Sequence, residues 1–239
     1  LYSAQKNSRG QGLAQMGIAN IYSTTEFYKE AIIYYKKSYS NLIIASPKSA
    51  SWSLNNMALS MMAVEENDSA LYYFNKSLEM KLSINDFYGA SYTYTDLGTL
   101  YDKLGLNAEA LQSFEKALEM KTSLEGINPE TLGSTYNKIG RQNLKLGAYG
   151  KGIAALKKGI EYSEKSSSLG YLSEAYFHIA DAYSKSGNYS EAYFYMKKYA
   201  ETNKTLVEQL NSNALSELKV EYETAQKDID IELLNNSVA

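Results

Sequence analysis

One frame of small, aliphatic and aromatic residues returns five times along the chain, and it limits the fold to a stack of like units. The clearest copy reads Leu97-Gly98-x-x-Tyr101, then Gly105, then Ala110-x-x-x-Phe114-x-x-Ala117. The other copies open at Ile18-Ala19, Met57-Ala58, Ile139-Gly140 and Ile179-Ala180. The small residue that starts each second half (Ala31, Ala70, Ala110, Gly152, Ala192) recurs at intervals of 39, 40, 42 and 40. Periods of this size mark solenoids, in which no unit buries its apolar face alone.

Within each copy, apolar spacing of three and four predicts two helices joined by a short turn. In the third copy, Leu104-Gly105-Leu106-Asn107 supplies a glycine stop followed by an Asn cap. In the fifth, Asn188 with Glu191 three positions later has the capping-box pattern. Both prolines fit this frame. Pro47 follows Ser46 and Pro129 follows Asn128, each at the start of a predicted first helix, where the missing N–H has no partner to lose. The predicted helices are 10–24 and 27–45, 48–64 and 67–84, 87–104 and 107–124, 129–146 and 149–166, 169–186 and 189–208. Residues 1–9 read as the end of a preceding helix, with further repeats expected upstream.

Composition narrows the function classes. The net charge of −3 comes without a long run of one sign, which argues against nucleic acid as the main partner. No stretch is apolar enough for long enough to cross a bilayer. The absence of cysteine excludes disulfides and thiolate metal sites. With one histidine besides, no metal or other cofactor is expected. No phosphate-binding glycine loop or nucleophile elbow is present, so catalysis is not expected. The 23 tyrosines suit a thin, two-layer structure where a ring is half buried and its hydroxyl reaches water.

After about residue 211 the frame breaks. Leu215, Leu218, Tyr222, Ala225 and Ile229 are spaced 3, 4, 3 and 4. Two readings of a separate helix at 212–236 follow: a solvating cap over the last repeat, or a coiled-coil connector that pairs two chains or passes a signal onward.

The L-G-x-x-Y … G-x-Y-x-x-A-x-x-x-F-x-x-A pattern resembles the tetratricopeptide repeat over about 190 residues, residues 10–208 forming the repeat domain. Met61 and Asn143 depart from the usual Tyr, and Gly152 and Gly159 from Ala. The resemblance implies an all-α fold: a right-handed superhelix of five hairpins plus the C-terminal capping or connector helix. It also implies a concave groove, lined by the first helices, that binds an extended peptide or a partner helix. The segment from Leu215 to Leu233 is similar to the end of the repeat region in bacterial sensor histidine kinases and helix-turn-helix regulators. That similarity implies a periplasmic sensor region followed, beyond Ala239, by a membrane helix and an output domain. A stand-alone cytoplasmic scaffold or adaptor is the alternative, and a homodimer through the C-terminal helix fits the connector reading.

The groove candidates are the first-helix residues not needed for packing: Met16 and Asn20; Trp52, Asn55 and Asn56; Tyr92, Asp96 and Thr99; Asn137, Lys138, Arg141 and Lys145; Phe177, His178 and Asp181. Asn offers both donor and acceptor to a peptide backbone, and Trp52 and Tyr92 offer apolar anchors. Lys138, Arg141 and Lys145 place three cations on one helix face for a carboxylate, unless Asp96 and Asp102 of the previous repeat pair with them. His178 reads more readily as a satisfied polar residue than as an acid or base, since only Asp181 lies within reach. The Lys/Asn/Lys/Arg clamp of chaperone-binding members is not reproduced, with Met16 and Tyr92 in two of its places.

Overall fold

The computed structural model describes residues 2–238, with side chains described for residues 7–227. Ten helices follow one another: α1 Tyr2–Thr24, α2 Tyr28–Ala45, α3 Pro47–Ala63, α4 Asn67–Ser83, α5 Phe87–Lys103, α6 Asn107–Thr122, α7 Pro129–Lys145, α8 Tyr149–Lys165, α9 Leu169–Lys185 and α10 Tyr189–Val238. Each helix packs on the next. First helices also touch across repeats, α1 with α3, α3 with α5 and α7 with α9. The odd-numbered helices therefore form one layer and the even-numbered ones a second, in an all-α solenoid of five hairpins. No strand occurs among the described residues.

The uneven period has a simple origin. Two 17-residue helices and two three-residue turns make the 40-residue unit of the second and fourth hairpins. The 42-residue interval contains the longer 123–128 connection, and the 39-residue interval contains the single-residue link Ser46. Pro47 and Pro129 sit at the first position of α3 and α7. Asn128 caps α7 by accepting from the Glu130 N–H at 2.9 Å. Asn188 accepts from the Glu191 N–H at 3.3 Å. Two expected caps differ. Ser46 bonds the Ser49 hydroxyl instead of a backbone N–H, and Asn107 is already helical, with Leu106 in the cap position.

Close approach of the two layers needs the small residues. A Cβ on Gly98 would lie 2.5 Å from the Phe114 ring, and one on Gly140 would lie 2.5 Å from the Leu156 side chain. The core follows these contacts. Ala19, Tyr35, Leu54, Met57, Phe74, Leu97 and Leu100 belong to a cluster spanning the first three hairpins. Smaller clusters around Phe114 and Ile139, and around Leu156, Ala175 and Ile179, continue it. Tyrosines join the layers: Tyr22 stacks on Tyr34, and Tyr183 occupies the matching place against Tyr195.

Both chain-end expectations change. Residues 2–9 are continuous with 10–24 in the single helix α1, which runs through Gly10 and Gly12 without a turn. The helix expected at 212–236 is not separate either. α10 runs 50 residues without a break, since Asn211-Ser212-Asn213 favours a turn only weakly and no glycine or proline stands there. Every described side chain from Val207 to Lys227 is exposed, so this part of α10 does not fold back as a cap. The Ile229 side chain of the expected stripe lies outside the described residues.

The turn between the helices of a hairpin needs one left-handed residue. Gly105, Gly147 and Gly187 fill that slot at φ 75 to 77°, whereas Glu26 and Glu65 fill it at φ 63 and 65°. A side chain in that region costs about 1 kcal/mol. Glu65→Gly should therefore stabilise the fold by about 0.5–1 kcal/mol and Gly105→Glu should cost a similar amount. Urea unfolding followed by circular dichroism measures both; a loss of stability in Glu65→Gly would refute this account of the turn.

Candidate functional site

The predicted groove residues do lie along the first-helix layer, but the chain itself uses many of them. Starting from the second helices, Lys81 at the end of α4 and Lys121 at the end of α6 occupy the same repeat position, 40 residues apart. Both point inward and are buried, Lys81 fully at 0% exposure. The Lys81 ammonium donates to the Thr93 hydroxyl at 2.7 Å and the Asn55 carbonyl oxygen at 3.2 Å, and it lies 4.0 Å over the Trp52 ring. Lys121 donates to the Thr135 and Thr95 hydroxyls at 2.9 and 3.1 Å, 5.2 Å from the Tyr92 ring centre. Each cation thus bridges a second helix to its own first helix and to the next one.

Asp96 sits between these lysines. It accepts from the Asn55 amide at 2.7 Å. Burial pushes its carboxyl up, opposed by the Asn55 bond and by Lys81, Lys121 and Lys138. Burial also brings Lys81 and Lys121 down to about 8 each, with Asp96 acting against the shift. The charges are compensated by dipoles and ring faces more than by direct ion pairs.

Nearer the C-terminus a second network ties three first helices together. Arg141 of α7 reaches Asp102 of α5 at 3.3 Å and Glu174 of α9 at 3.1 Å. Lys145 also bonds Asp102. Burial raises the Asp102 carboxyl, but bonds from Lys145 and Gln142 and the nearby Lys145 and Arg141 charges hold it below the usual value. The predicted three-cation face is therefore largely neutralised from within. Lys138 stands apart: it makes no ion pair among the described residues and lies 5.6 Å from the Phe114 ring centre.

Two further candidates are withdrawn from a ligand. Asn55 is buried, with its carbonyl on Lys81 and Thr93 and its amide on Asp96. Asn137 is buried, donating to the Tyr171 carbonyl at 2.8 Å and Glu174 at 3.4 Å. Thr99 donates within its own helix, to the Thr95 carbonyl. His178 is partly buried, and burial first, then Arg141, lowers it below the usual imidazole value. Together with Asp181, which bonds Lys185 at 2.7 Å, it lines a cavity of about 220 Å³ with Arg141, Leu144 and Tyr149.

Phe177, next to His178, is exposed, and a second open stretch lies in the N-terminal half. Asn20, Ser23, Tyr35, Asn56 and Leu59 line an open depression of about 420 Å³. Asn20 and Asn56 face each other there at 3.5 Å, and the Tyr35 hydroxyl donates to Asn20 at 2.7 Å. Next along the layer come the half-exposed rings of Trp52 and Tyr92, 6.2 Å apart. Tyr88, 5.0 Å from Tyr92 and hydrogen-bonded to it at 3.1 Å, extends this aromatic patch. Sequence reading missed Tyr88 and both lysines. Tyr88 was findable four residues before Tyr92 on the same helix face, and the lysines by their shared repeat position. Among the described residues no group of three or more His, Asp or Glu could hold a metal ion.

Comparison with known proteins follows this geometry. Residues 49–123 and residues 173–205 match families described as tetratricopeptide repeat. No curated protein matches the chain in sequence. Among solved structures, BtubC (BKLC) from P. vanneervenii aligns with a TM-score of 0.74 at 12% identity, over 86% of this chain and 87% of that one. MamA from Desulfovibrio magneticus RS-1 aligns at 0.62 and 17%, over 82% and 96%. Aspartyl phosphate phosphatase F from Bacillus subtilis aligns at 0.67 and 17%, over 81% and 60%. At these identities the likeness is one of fold.

Two measurements check the networks. Arg141→Ala should cost about 1–2 kcal/mol, because it leaves Asp102 and Glu174 without their shared partner. The second concerns pH. A lysine brought down to about 8 in the fold from 10.5 disfavours folding while protonated, and that penalty lifts as pH rises from about 8 towards 10.5. The difference in melting temperature between the native chain and a Lys81→Met, Lys121→Met double variant should therefore shift in favour of the native chain between pH 7.5 and 9.5. A constant difference would refute the depressed lysines.

Proposed function

We propose that this array of tetratricopeptide repeats is a non-catalytic binding domain that holds an extended peptide or a partner's helix along its first-helix layer. The contact region we favour is the N-terminal half, from the Asn20–Asn56 depression to the Trp52, Tyr88 and Tyr92 rings. One observation carries this reading. That stretch combines exposed amides with half-buried aromatic faces, the chemistry that brackets a backbone and anchors a side chain. The C-terminal half instead uses its charges internally.

We further propose that the domain is the sensor region of a bacterial signalling or transcriptional regulator, placed outside the cytoplasmic membrane. The unbroken α10, which leaves the repeat body as an exposed helix, supports a connector that carries the binding state onward. Occupation of the groove would shift the equilibrium between superhelix curvatures, since small rotations add along neighbouring repeats. Among the described residues no helix is long and apolar enough to cross a membrane.

The test is selection of binding peptides from a random display library against the intact chain. Selected peptides should lose roughly tenfold or more in affinity with Asn56→Ala or Tyr88→Ala, while melting temperature stays close to that of the native chain. Failure to select any peptide, or selected peptides indifferent to both substitutions, would remove the groove as the binding site.

A further inference from the structure

Two rings in the groove rest on buried cations. Lys81 is fully buried, and its ammonium lies 4.0 Å from the Trp52 ring centre. Lys121, 3% exposed, lies 5.2 Å from the Tyr92 ring centre. Both lysines come from the second-helix layer, so each covers the inner side of its ring. The rings themselves are half-exposed. On composition alone, an open patch of Trp52, Tyr88 and Tyr92 suits a ligand cation held against negative ring faces. Here that attraction is already engaged from inside the protein.

The charge around the patch is mostly of one sign. Lys81 and Lys121 bond hydroxyls and an amide carbonyl, and Lys138 makes no ion pair among the described residues. Asp96 is the carboxylate that acts on all three. The other acids nearby are engaged elsewhere: Asp86 with Lys48 at 3.5 Å, and Asp102 and Glu174 with Arg141. Three ammonium groups thus stand against one buried carboxylate under and beside the rings.

Distance decides whether a ligand feels this. An atom touching the open side of the Trp52 ring, about 3.5 Å above it, stands about 7.5 Å from the Lys81 charge. That is inside the screening length of about 8 Å at physiological salt. The ring and protein between them screen less than water does. A cation there is repelled and an anion attracted.

We infer that the peptide held in the groove is acidic where it crosses Trp52 and Tyr92, and that Lys81 and Lys121 set this preference from behind the rings without touching it. On the groove reading above, on which this depends, the partner is a protein segment that carries Asp or Glu there and excludes Lys and Arg. Nucleic acid is anionic too, but phosphate binding draws on exposed cations, and these two lysines are enclosed. The Asn20 and Asn56 amides beside the patch match a peptide backbone.

Peptides selected from a random display library against the intact chain test this by their composition. Asp and Glu should outnumber Lys and Arg. In a synthetic copy of a selected peptide, changing its acidic residues to Lys should weaken binding by roughly tenfold or more, measured by fluorescence anisotropy. In a Lys81→Met, Lys121→Met double variant that ratio should fall to about threefold or less. Lys138→Gln should lower it in part, and gives a reading even where the double variant does not fold. Peptides as rich in Lys and Arg as in Asp and Glu would overturn the inference and leave the groove standing. So would an affinity ratio that none of these variants moves, or a single-stranded oligonucleotide that binds more tightly than the selected peptides. Selection of no peptide would remove the groove and this inference with it.

Discussion

Each second helix in this molecule has two apolar sides, and one of them belongs to the next repeat. The contact of Leu111, Phe114 and Leu118 with the α7 side of the core, and of Leu156 with Ala175 and Ile179, is the same event in successive hairpins. A hairpin alone would leave half of that surface in water, so no unit is stable by itself. The small residues follow from the same demand: at Gly98 and Gly140 the facing Phe114 and Leu156 side chains occupy the space a methyl would need. Period, glycine placement and cluster order are three expressions of one inter-helix contact.

A polar version of that contact runs beside the apolar one. Ser38 donates to the Gly12 carbonyl and Ser77 to the Ser51 carbonyl, each at 2.8 Å, at equivalent places in the first two repeats. Four positions further along, Lys81 and Lys121 do the same over a longer reach, engaging hydroxyls on two first helices at once. A buried cation without a carboxylate partner is costly unless its protons are all directed at acceptors or ring faces. These two meet that condition through Thr93, Thr95, Thr135, Trp52 and Tyr92. They fix the alignment of α4 to α7 in a way that apolar contacts, which tolerate sliding, do not.

The fold was legible because its signals are local and repeated. Pro47, Pro129, Gly105 and the three-and-four spacing each report on a few residues, and five copies average out the exceptions. The site was less legible because a polar first-helix residue looks the same whether it faces a ligand or a neighbour. Asn55 and Asn137 are buried only because Lys81, Asp96, Tyr171 and Glu174 come to them from 26 to 41 residues away. Pairing of Asp102 with Arg141 and Lys145 was readable, since all three fall one repeat apart on one layer. The unbroken α10 was not, because Asn211-Ser212-Asn213 resembles a turn in composition while lacking the glycine or proline that would enforce one.

The length of α10 beyond the last hairpin also has a mechanical meaning. From Val207 to Val238 the helix continues for 32 residues, about 46 Å from first to last at 1.5 Å per residue. It is a lever whose short arm is the last hairpin. A tilt of that hairpin by about 5° moves the far end by about 4 Å on this geometry, roughly three-quarters of the helix pitch. Adjustments too small to disturb any buried contact in the repeats are thus magnified at its tip into displacements on the scale of a side chain.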